Sequence, residues 1–152
     1  MKKQIVVAAS GYFDPLHIGH VEYLELAKKL GDKLVVIVNN DEQCRLKKGF
    51  VFMPQEERMK IIAALKPVDE VVLSIDKEKF GIHVPVSKTL EMINPNIFAK
   101  GGDRHSGEIP EGPVCKKLGI KIVDGLGKKI QASSELVKRA REIEQNNAKK
   151  TP

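Results

Sequence analysis

Residues 5–20 read IVVAASGYFDPLHIGH. The first five positions, Ile5 to Ala9, are all apolar, which is typical of a strand that is buried on both faces of a parallel sheet. Gly11 follows this run, and apolar residues at helical spacing then continue over 18–30. A strand, a glycine turn and a helix in this order indicate the first unit of an α/β fold.

The same alternation of strand and helix continues along the chain. Further strands are predicted at 34–38, 71–73, 97–99 and 120–123. Helices are predicted from Pro54 to Pro67, over 86–93 and from about 134 to 143, with a helical turn over 115–118. No internal repeat, low-complexity segment or linker interrupts this pattern. We therefore predict one doubly wound, Rossmann-like α/β domain over residues 1–145, with a five-stranded parallel sheet, and a frayed tail over 146–152.

In a doubly wound sheet, ligands bind at the carboxyl ends of the strands, where the strand order reverses. The loops that we expect to form the functional site are therefore 10–20, 39–53, 74–83, 99–112 and 124–134.

The chain of 152 residues has 26 Lys and Arg against 20 Asp and Glu, a formal net charge of +6. Residues 116–152 contain 10 basic and four acidic side chains, which accounts for the whole excess. Such a segment suits nucleic acid, a small anionic ligand or simple solvation. Aromatic residues make up only 5% of the chain and Trp is absent, so a surface for stacking nucleic-acid bases is poorly supplied.

Cys44 and Cys115 are far apart and form no C-x-x-C unit, so we expect two free thiols. The start of the chain shows no secretory signal, and no apolar run approaches the roughly 20 residues of a membrane span. These features favour a cytoplasmic protein without membrane contact.

The first loop carries the chemistry. Backbone N–H groups at the start of a helix and the helix dipole attract anions such as phosphates. His17 and His20 are three positions apart and share one face of that helix, so both can reach the same anion. We interpret this loop as a polyphosphate site with two imidazole donors. The alternatives for the two histidines are a pair of surface residues or a zinc pair, but Cys44, His83, His105 and Cys115 are too scattered to complete a zinc site.

Residues 11–20 resemble the G-x-F-D-x-x-H-x-G-H motif of the cytidylyltransferase-like nucleotidyltransferase family. The resemblance continues in order along the chain. Lys47-Lys48-Gly49 resembles the family's phosphate-binding lysine loop, and residues 54–59 resemble its P-x-E-x-R-M helix start. Residues 100–103 match K-G-G-D of the heptose-1-phosphate adenylyltransferase branch, and residues 132–138 stand where the family has S-[ST]-[ST]-x-[IL]-[IV]-K. Glycerol-3-phosphate cytidylyltransferase is the other branch with closely similar motifs.

This resemblance implies attack by a substrate phosphate on the α-phosphorus of a nucleoside triphosphate, with release of pyrophosphate and Mg²⁺ carried on the triphosphate. It implies catalytic roles for His17, His20 and Lys48. It implies acceptor contacts for Asp41 and Arg58. It also implies nucleotide contacts for a larger set, in which Asp14 orients the loop: Gly11, Tyr12, Phe13, Asp14, Gly19, Lys47, Gly102, Asp103, Lys128, Lys129, Ser133 and Ser134. No metal ligand is expected on the protein, and a homodimer is possible.

The departures from the family pattern concern the substrate. Residues 127–131 read GKKIQ where cytidylyltransferases have an Arg-Thr pair, Ala132 replaces the first hydroxyl residue, and residues 50–52 read FVF where the heptose branch has an arginine. The K-G-G-D run favours ATP over CTP. The expected acceptor is a sugar or polyol phosphate, with FMN (as in archaeal FAD synthase) or 4′-phosphopantetheine as alternatives. A non-catalytic nucleotide-binding protein and a nucleic-acid-binding protein are the alternatives from other classes.

Overall fold

The computed structural model describes residues 3–102, 109–127 and 131–150. Strands and helices alternate along these ranges in the following order: β1 (Val6–Gly11), α1 (Ile18–Lys28), β2 (Lys33–Val38), α2 (Asp41–Lys48), α3 (Gln55–Ala63), β3 (Glu70–Leu73), α4 (Ser87–Ile93), β4 (Ile97–Gly101), α5 (Gly112–Leu118), β5 (Lys121–Leu126) and α6 (Ser133–Lys150). The strands form one parallel sheet of five strands in the order β3-β2-β1-β4-β5. The predicted doubly wound, Rossmann-like fold is confirmed.

β1 is the central strand, and its side chains alternate between two layers of helices. Val7 and Ala9 lie in one core with Leu24 of α1. Ala8 lies in the core on the other face of the sheet with Leu90 of α4. All five residues are fully buried. Because β1 is packed on both faces, its position is fixed, and so is the start of the turn that follows it.

The strand order reverses between β1 and β4, and the two strands part before they end. The pairing of β1 with β2 continues to Gly11, but its pairing with β4 stops at Ala9 and Ala99. The hydroxyl of Tyr23 occupies the place of the missing ladder bonds: it accepts from Ser10 N–H at 3.3 Å and donates to the Ala99 carbonyl at 2.5 Å. A crevice therefore opens at the carboxyl ends of β1 and β4, as expected where the strand order of a doubly wound sheet reverses.

Two helices differ from the sequence prediction. α2 occupies part of the expected loop 39–53. It begins with a capping box, in which Asn40 accepts from Gln43 N–H and Gln43 accepts from Asn40 N–H. Its sequence, DEQCRLKK, is too polar to show apolar periodicity. α6 continues to Lys150, through most of the segment predicted as a frayed tail, because no Gly or Pro interrupts residues 133–150.

Both cysteines are free, as predicted, and the structure shows that both are buried. Burial raises the pKa of the Cys115 thiol to about 11, with nearby Glu111 adding to the shift. Within the described ranges, no helix combines the length and the apolar character needed to span a bilayer.

Candidate active site

A cavity of about 840 Å³ lies at the carboxyl ends of β1 and β4, where the strand order reverses. The structure brings most of the predicted catalytic and nucleotide-binding residues to its walls: Gly11, Tyr12, Phe13, Asp14, His17, Gly19, His20, Lys47, Lys48, Gly102, Ser133 and Ser134. Three further predicted residues, Asp103, Lys128 and Lys129, lie outside the described residues. The volume is in the range of small-molecule sites.

His17 and His20 form the capping box of α1. Nδ1 of His17 accepts from Gly19 N–H at 3.1 Å, and Nδ1 of His20 accepts from His17 N–H at 3.2 Å. A ring nitrogen that accepts a hydrogen bond carries no proton, so the proton of each neutral imidazole is on Nε2. The rings are stacked with centroids 3.7 Å apart. The helix cap therefore selects the tautomer that leaves two Nε2–H donors for a ligand in the cavity.

Both imidazoles are held in the neutral form. The pKa of His20 is lowered from 6.5 to about 3, chiefly by burial and also by the neighbouring His17 and Lys48. Burial also lowers the pKa of His17. Neither ring is protonated near pH 7, so both act as neutral hydrogen-bond donors.

Asp14 organises the loop rather than facing the ligand as a free carboxylate. It is fully buried, and its carboxylate accepts from the N–H groups of Phe52 and Met53 at 2.8 and 2.5 Å. Lys48 forms an ion pair with the same carboxylate at 2.9 Å and donates to the Asp14 carbonyl at 2.7 Å. The Lys48 side chain is 24% exposed, and these bonds hold its ammonium group at the cavity wall beside the histidines.

Gly11 is required by the aromatic ring that follows it. A Cβ at Gly11 would lie 2.8 Å from the ring of Phe13, closer than such atoms approach in proteins. Phe13 has a φ of 53° and is fully buried. Its ring meets His20 edge-on, with centroids 5.0 Å apart. Gly11 thus makes room for the ring that supports His20.

The start of α6 supplies the opposite wall. Ser133 is the first residue of this helix, and its hydroxyl donates to the carbonyl of Pro15 at 2.7 Å. This bond ties the N-terminus of α6 to the loop before α1. Ser134 lines the cavity beside it. Two helix N-termini therefore face one cavity, an arrangement that suits a polyphosphate.

The structure does not bring Arg58 and Asp41 into the cavity, contrary to the prediction that they hold the acceptor. The guanidinium of Arg58 is fully buried and forms an ion pair with Asp41 at 2.7 Å. It also donates to the carbonyls of Tyr12, Asn39 and Met53 at 2.8, 2.6 and 2.8 Å. These contacts use the planar donor set of the arginine to join the ends of β1 and β2 to the loop before α3. Arg58 is thus a structural residue.

Several cavity residues were not in the predicted site. Lys100, at the end of β4, lies 3.4 Å from the Ser10 hydroxyl. Lys138 and Arg141 face the cavity from α6, and the guanidinium of Arg141 lies 5.5 Å from the centre of the Phe50 ring. The helical spacing from Ser134 to Lys138 and Arg141 is the signal that identifies this face. Glu111, before α5, also lines the cavity, and no motif indicated it.

No three His, Cys, Asp or Glu side chains come together as a metal site in the ranges that the structure describes. The carboxylate of Asp14 is already used by two N–H groups and by Lys48. That Mg²⁺ is carried on the triphosphate stays a prediction.

Residues 8–145 match the cytidylyltransferase-like family. The chain is 43% identical to FAD synthase from Ferroglobus placidus over 121 residues, which cover 80% of this chain and 72% of that protein. It is 36% identical over 141 residues to the bifunctional protein HldE from Alcanivorax borkumensis, which covers 90% of this chain but only 28% of the longer protein.

Solved structures show the same fold. The lipopolysaccharide core biosynthesis protein from Thermoplasma volcanium superposes with a TM-score of 0.64 at 32% sequence identity, covering 82% of this chain and 98% of that one. The family match over nearly the whole chain, the identity to these relatives and the shared fold agree with one another. The chain therefore belongs to the cytidylyltransferase-like family and is a nucleotidyltransferase.

Proposed function

We propose that the protein transfers AMP from ATP to the phosphate group of a small molecule and releases pyrophosphate. An oxygen of the acceptor phosphate attacks the α-phosphorus, and the bond from that phosphorus to the β-phosphate oxygen breaks. The electron pair leaves with pyrophosphate. Because the attacking oxygen is already ionised near pH 7, no residue has to remove a proton.

The observation that carries the proposal is the pair of neutral imidazoles at the start of α1. Their Nδ1 atoms are used by the backbone, so their Nε2–H groups are free to donate to the triphosphate oxygens. Transfer of this kind depends on positioning and on neutralising charge, with little acid–base chemistry from the protein. Neutral donors in fixed positions meet that requirement without exchanging protons during the reaction.

The cations and the helix N-termini supply the remaining stabilisation. Lys48 and Lys100 line the cavity near the ends of α2 and β4, and Ser133 and Ser134 lie at the start of α6. We assign these groups to the triphosphate. Mg²⁺ bound to the β- and γ-phosphates would neutralise charge on the leaving group. The K-G-G-D run that begins at Lys100 supports ATP as the nucleotide.

FMN and a sugar phosphate are the two candidate acceptors. The relatives named FAD synthase support FMN, since FAD is FMN joined to AMP. The cavity walls also support it, because Phe50, Val84 and Val86 present apolar surface to which a flat aromatic ring can bind. The relatives named HldE and the resemblance to the heptose branch support a sugar phosphate.

The free, buried cysteines and the nucleotide substrate are consistent with the cytoplasm as the location.

A matrix of nucleotides and acceptors tests the proposal. ATP, CTP, GTP and UTP are each combined with FMN, sugar 1-phosphates, glycerol 3-phosphate and 4′-phosphopantetheine, with Mg²⁺ present. Pyrophosphate is measured by a coupled assay and the product by mass spectrometry. We expect release with ATP and with one class of acceptor. Absence of pyrophosphate with every pair, in protein shown to be folded by its thermal transition, would contradict the proposal. It would instead favour the non-catalytic alternative.

A further inference from the structure

Glu111 carries an acceptor atom that the described part of the protein does not use. The residue is 3% exposed, and its Oε2 accepts from Val86 N–H at 3.0 Å. Its other oxygen, Oε1, is buried and has no hydrogen-bond partner among the described residues. A buried acceptor without a partner reduces stability, so its retention calls for an explanation such as a ligand.

The surroundings of Glu111 indicate the kind of ligand. Val84, Val86 and Pro110 supply apolar surface to the same cavity. Pro110 precedes Glu111 in the chain, and Val86 N–H donates to its carboxylate. An apolar wall with one acceptor at its edge suits a flat ring that presents one N–H group.

We propose that Glu111 Oε1 accepts a hydrogen bond from an amino or imide N–H at the edge of a heterocycle bound in the cavity, and that it thereby selects that ring. The inference rests on the proposed function, because the ring belongs either to the nucleotide or to the acceptor. The 6-amino group of adenine and the imide N–H of a flavin are the two sources of this chemistry. A site built to bond an N–H group rejects an analogue that lacks it, because the buried acceptor then stays unpaired.

The variant Glu111→Gln tests the assignment. Its side-chain oxygen can still accept from Val86 N–H, while an NH₂ group replaces Oε1 and turns the acceptor into a donor. Glu78→Gln is the matched control, because Glu78 is 56% exposed and pairs with Lys88 on the surface.

Binding is measured by calorimetry for two pairs of ligands, so that the result does not depend on turnover. One pair is Mg-ATP and purine riboside triphosphate, which lacks the amino group. The other is FMN and N3-methyl-FMN, which lacks the imide N–H. We expect the wild-type protein and Glu78→Gln to bind the complete ligand about 10- to 100-fold more tightly within one pair, and Glu111→Gln to lose this difference. The pair that responds identifies the source of the N–H group.

Two results would overturn the assignment. Equal discrimination by wild type and Glu111→Gln, or no discrimination in either pair while both complete ligands bind, would mean that Oε1 is paired with water only. Failure of the folded wild-type protein to bind ATP at all would instead contradict the proposed function, and the role of Glu111 with it. An unchanged melting temperature of Glu111→Gln shows that a loss of discrimination does not result from unfolding.

Discussion

His17 and His20 each use one ring nitrogen for folding and leave the other for chemistry. Other residues cap helices equally well, and Ser, Asp and Asn are more common in this position. None of them presents a second, neutral N–H donor on the far side of its capping atom. The two roles are coupled because the backbone bond to Nδ1 places the proton on Nε2. Histidine at these two positions therefore meets two requirements: Nδ1 caps the helix, and Nε2–H supplies a donor to the cavity.

The variant His20→Asn separates these two roles. The Asn side-chain oxygen can take the place of Nδ1 and accept from His17 N–H, but nothing replaces Nε2. We expect kcat to fall by about 10²- to 10³-fold, as for the loss of one fixed donor at a developing charge. The melting temperature should change little. Steady-state kinetics and thermal denaturation check both parts.

The control is His20→Ala, which removes both the capping nitrogen and the donor. It should lose as much activity as His20→Asn and more stability. Full activity of His20→Asn would make His20 a structural residue only.

At the scale of the elements, the site depends on how β1 and β4 separate. A parallel pair normally continues its ladder to the strand ends, but here the pairing stops two residues before the end of β1. Tyr23 of α1 accepts from one strand and donates to the other, so both backbone groups stay paired while the crevice opens. Gly101 permits this arrangement, because a Cβ there would lie 3.0 Å from the Tyr23 ring.

Tyr23→Phe removes the hydroxyl and leaves Ser10 N–H and the Ala99 carbonyl without it. We expect the free energy of unfolding to fall by about 1–3 kcal/mol, the cost of leaving buried polar groups unpaired. Urea denaturation measures the loss, and hydrogen exchange at Ser10 should accelerate more than exchange at Val7. Unchanged stability and exchange would show that the strands do not depend on this bridge.

At the scale of the whole molecule, the basic C-terminal quarter divides between two surfaces. Lys138 and Arg141 face the cavity from α6, and the contact of Arg141 with Phe50 joins α6 to the loop after α2. Other basic residues, such as Lys116 and Lys117, lie at the end of α5 and are exposed. Part of the excess charge thus lines the cavity, and part is solvated surface.

The partly buried, neutral state of His20 makes the stability of the protein depend on pH. The folded protein binds a proton at His20 only near pH 3, whereas the unfolded chain binds it near 6.5. Between these values the unfolded state holds more protons, so stability falls as pH decreases through 6.5 toward 3. The contribution is fully present above 6.5.

We expect the free energy of unfolding of the wild type to rise with pH more steeply than that of His20→Asn between about pH 4 and 6. The difference in slope should be at most one proton, about 1.4 kcal/mol per pH unit. Urea denaturation at several pH values measures both slopes. Parallel slopes would mean that His20 titrates at the same pH in the folded and unfolded states.

Much of the fold was predictable because apolar periodicity reports burial locally. The run 5–9 is buried on both faces whatever surrounds it, and the order of strands and helices limits the sheet to a parallel, doubly wound form. Apolar periodicity did not predict the polar helix α2, because this helix has a capping box but no apolar stripe. The first loop was predictable for a similar reason. The features that define it are close together in the sequence: the end of a strand, a glycine and two histidines at helical spacing.

The sequence by itself therefore determined the class of fold, the glycine turn after β1 and the pair of histidines at the start of α1, since all of these depend on neighbours in the chain. Only the tertiary structure decided that Arg58 is a buried structural residue, because its carbonyl partners come from separate loops. In the same way, only the fold brought Glu111 to the wall of the cavity. Contacts between residues distant in the chain are set by how the elements pack, and no local pattern in the sequence records them.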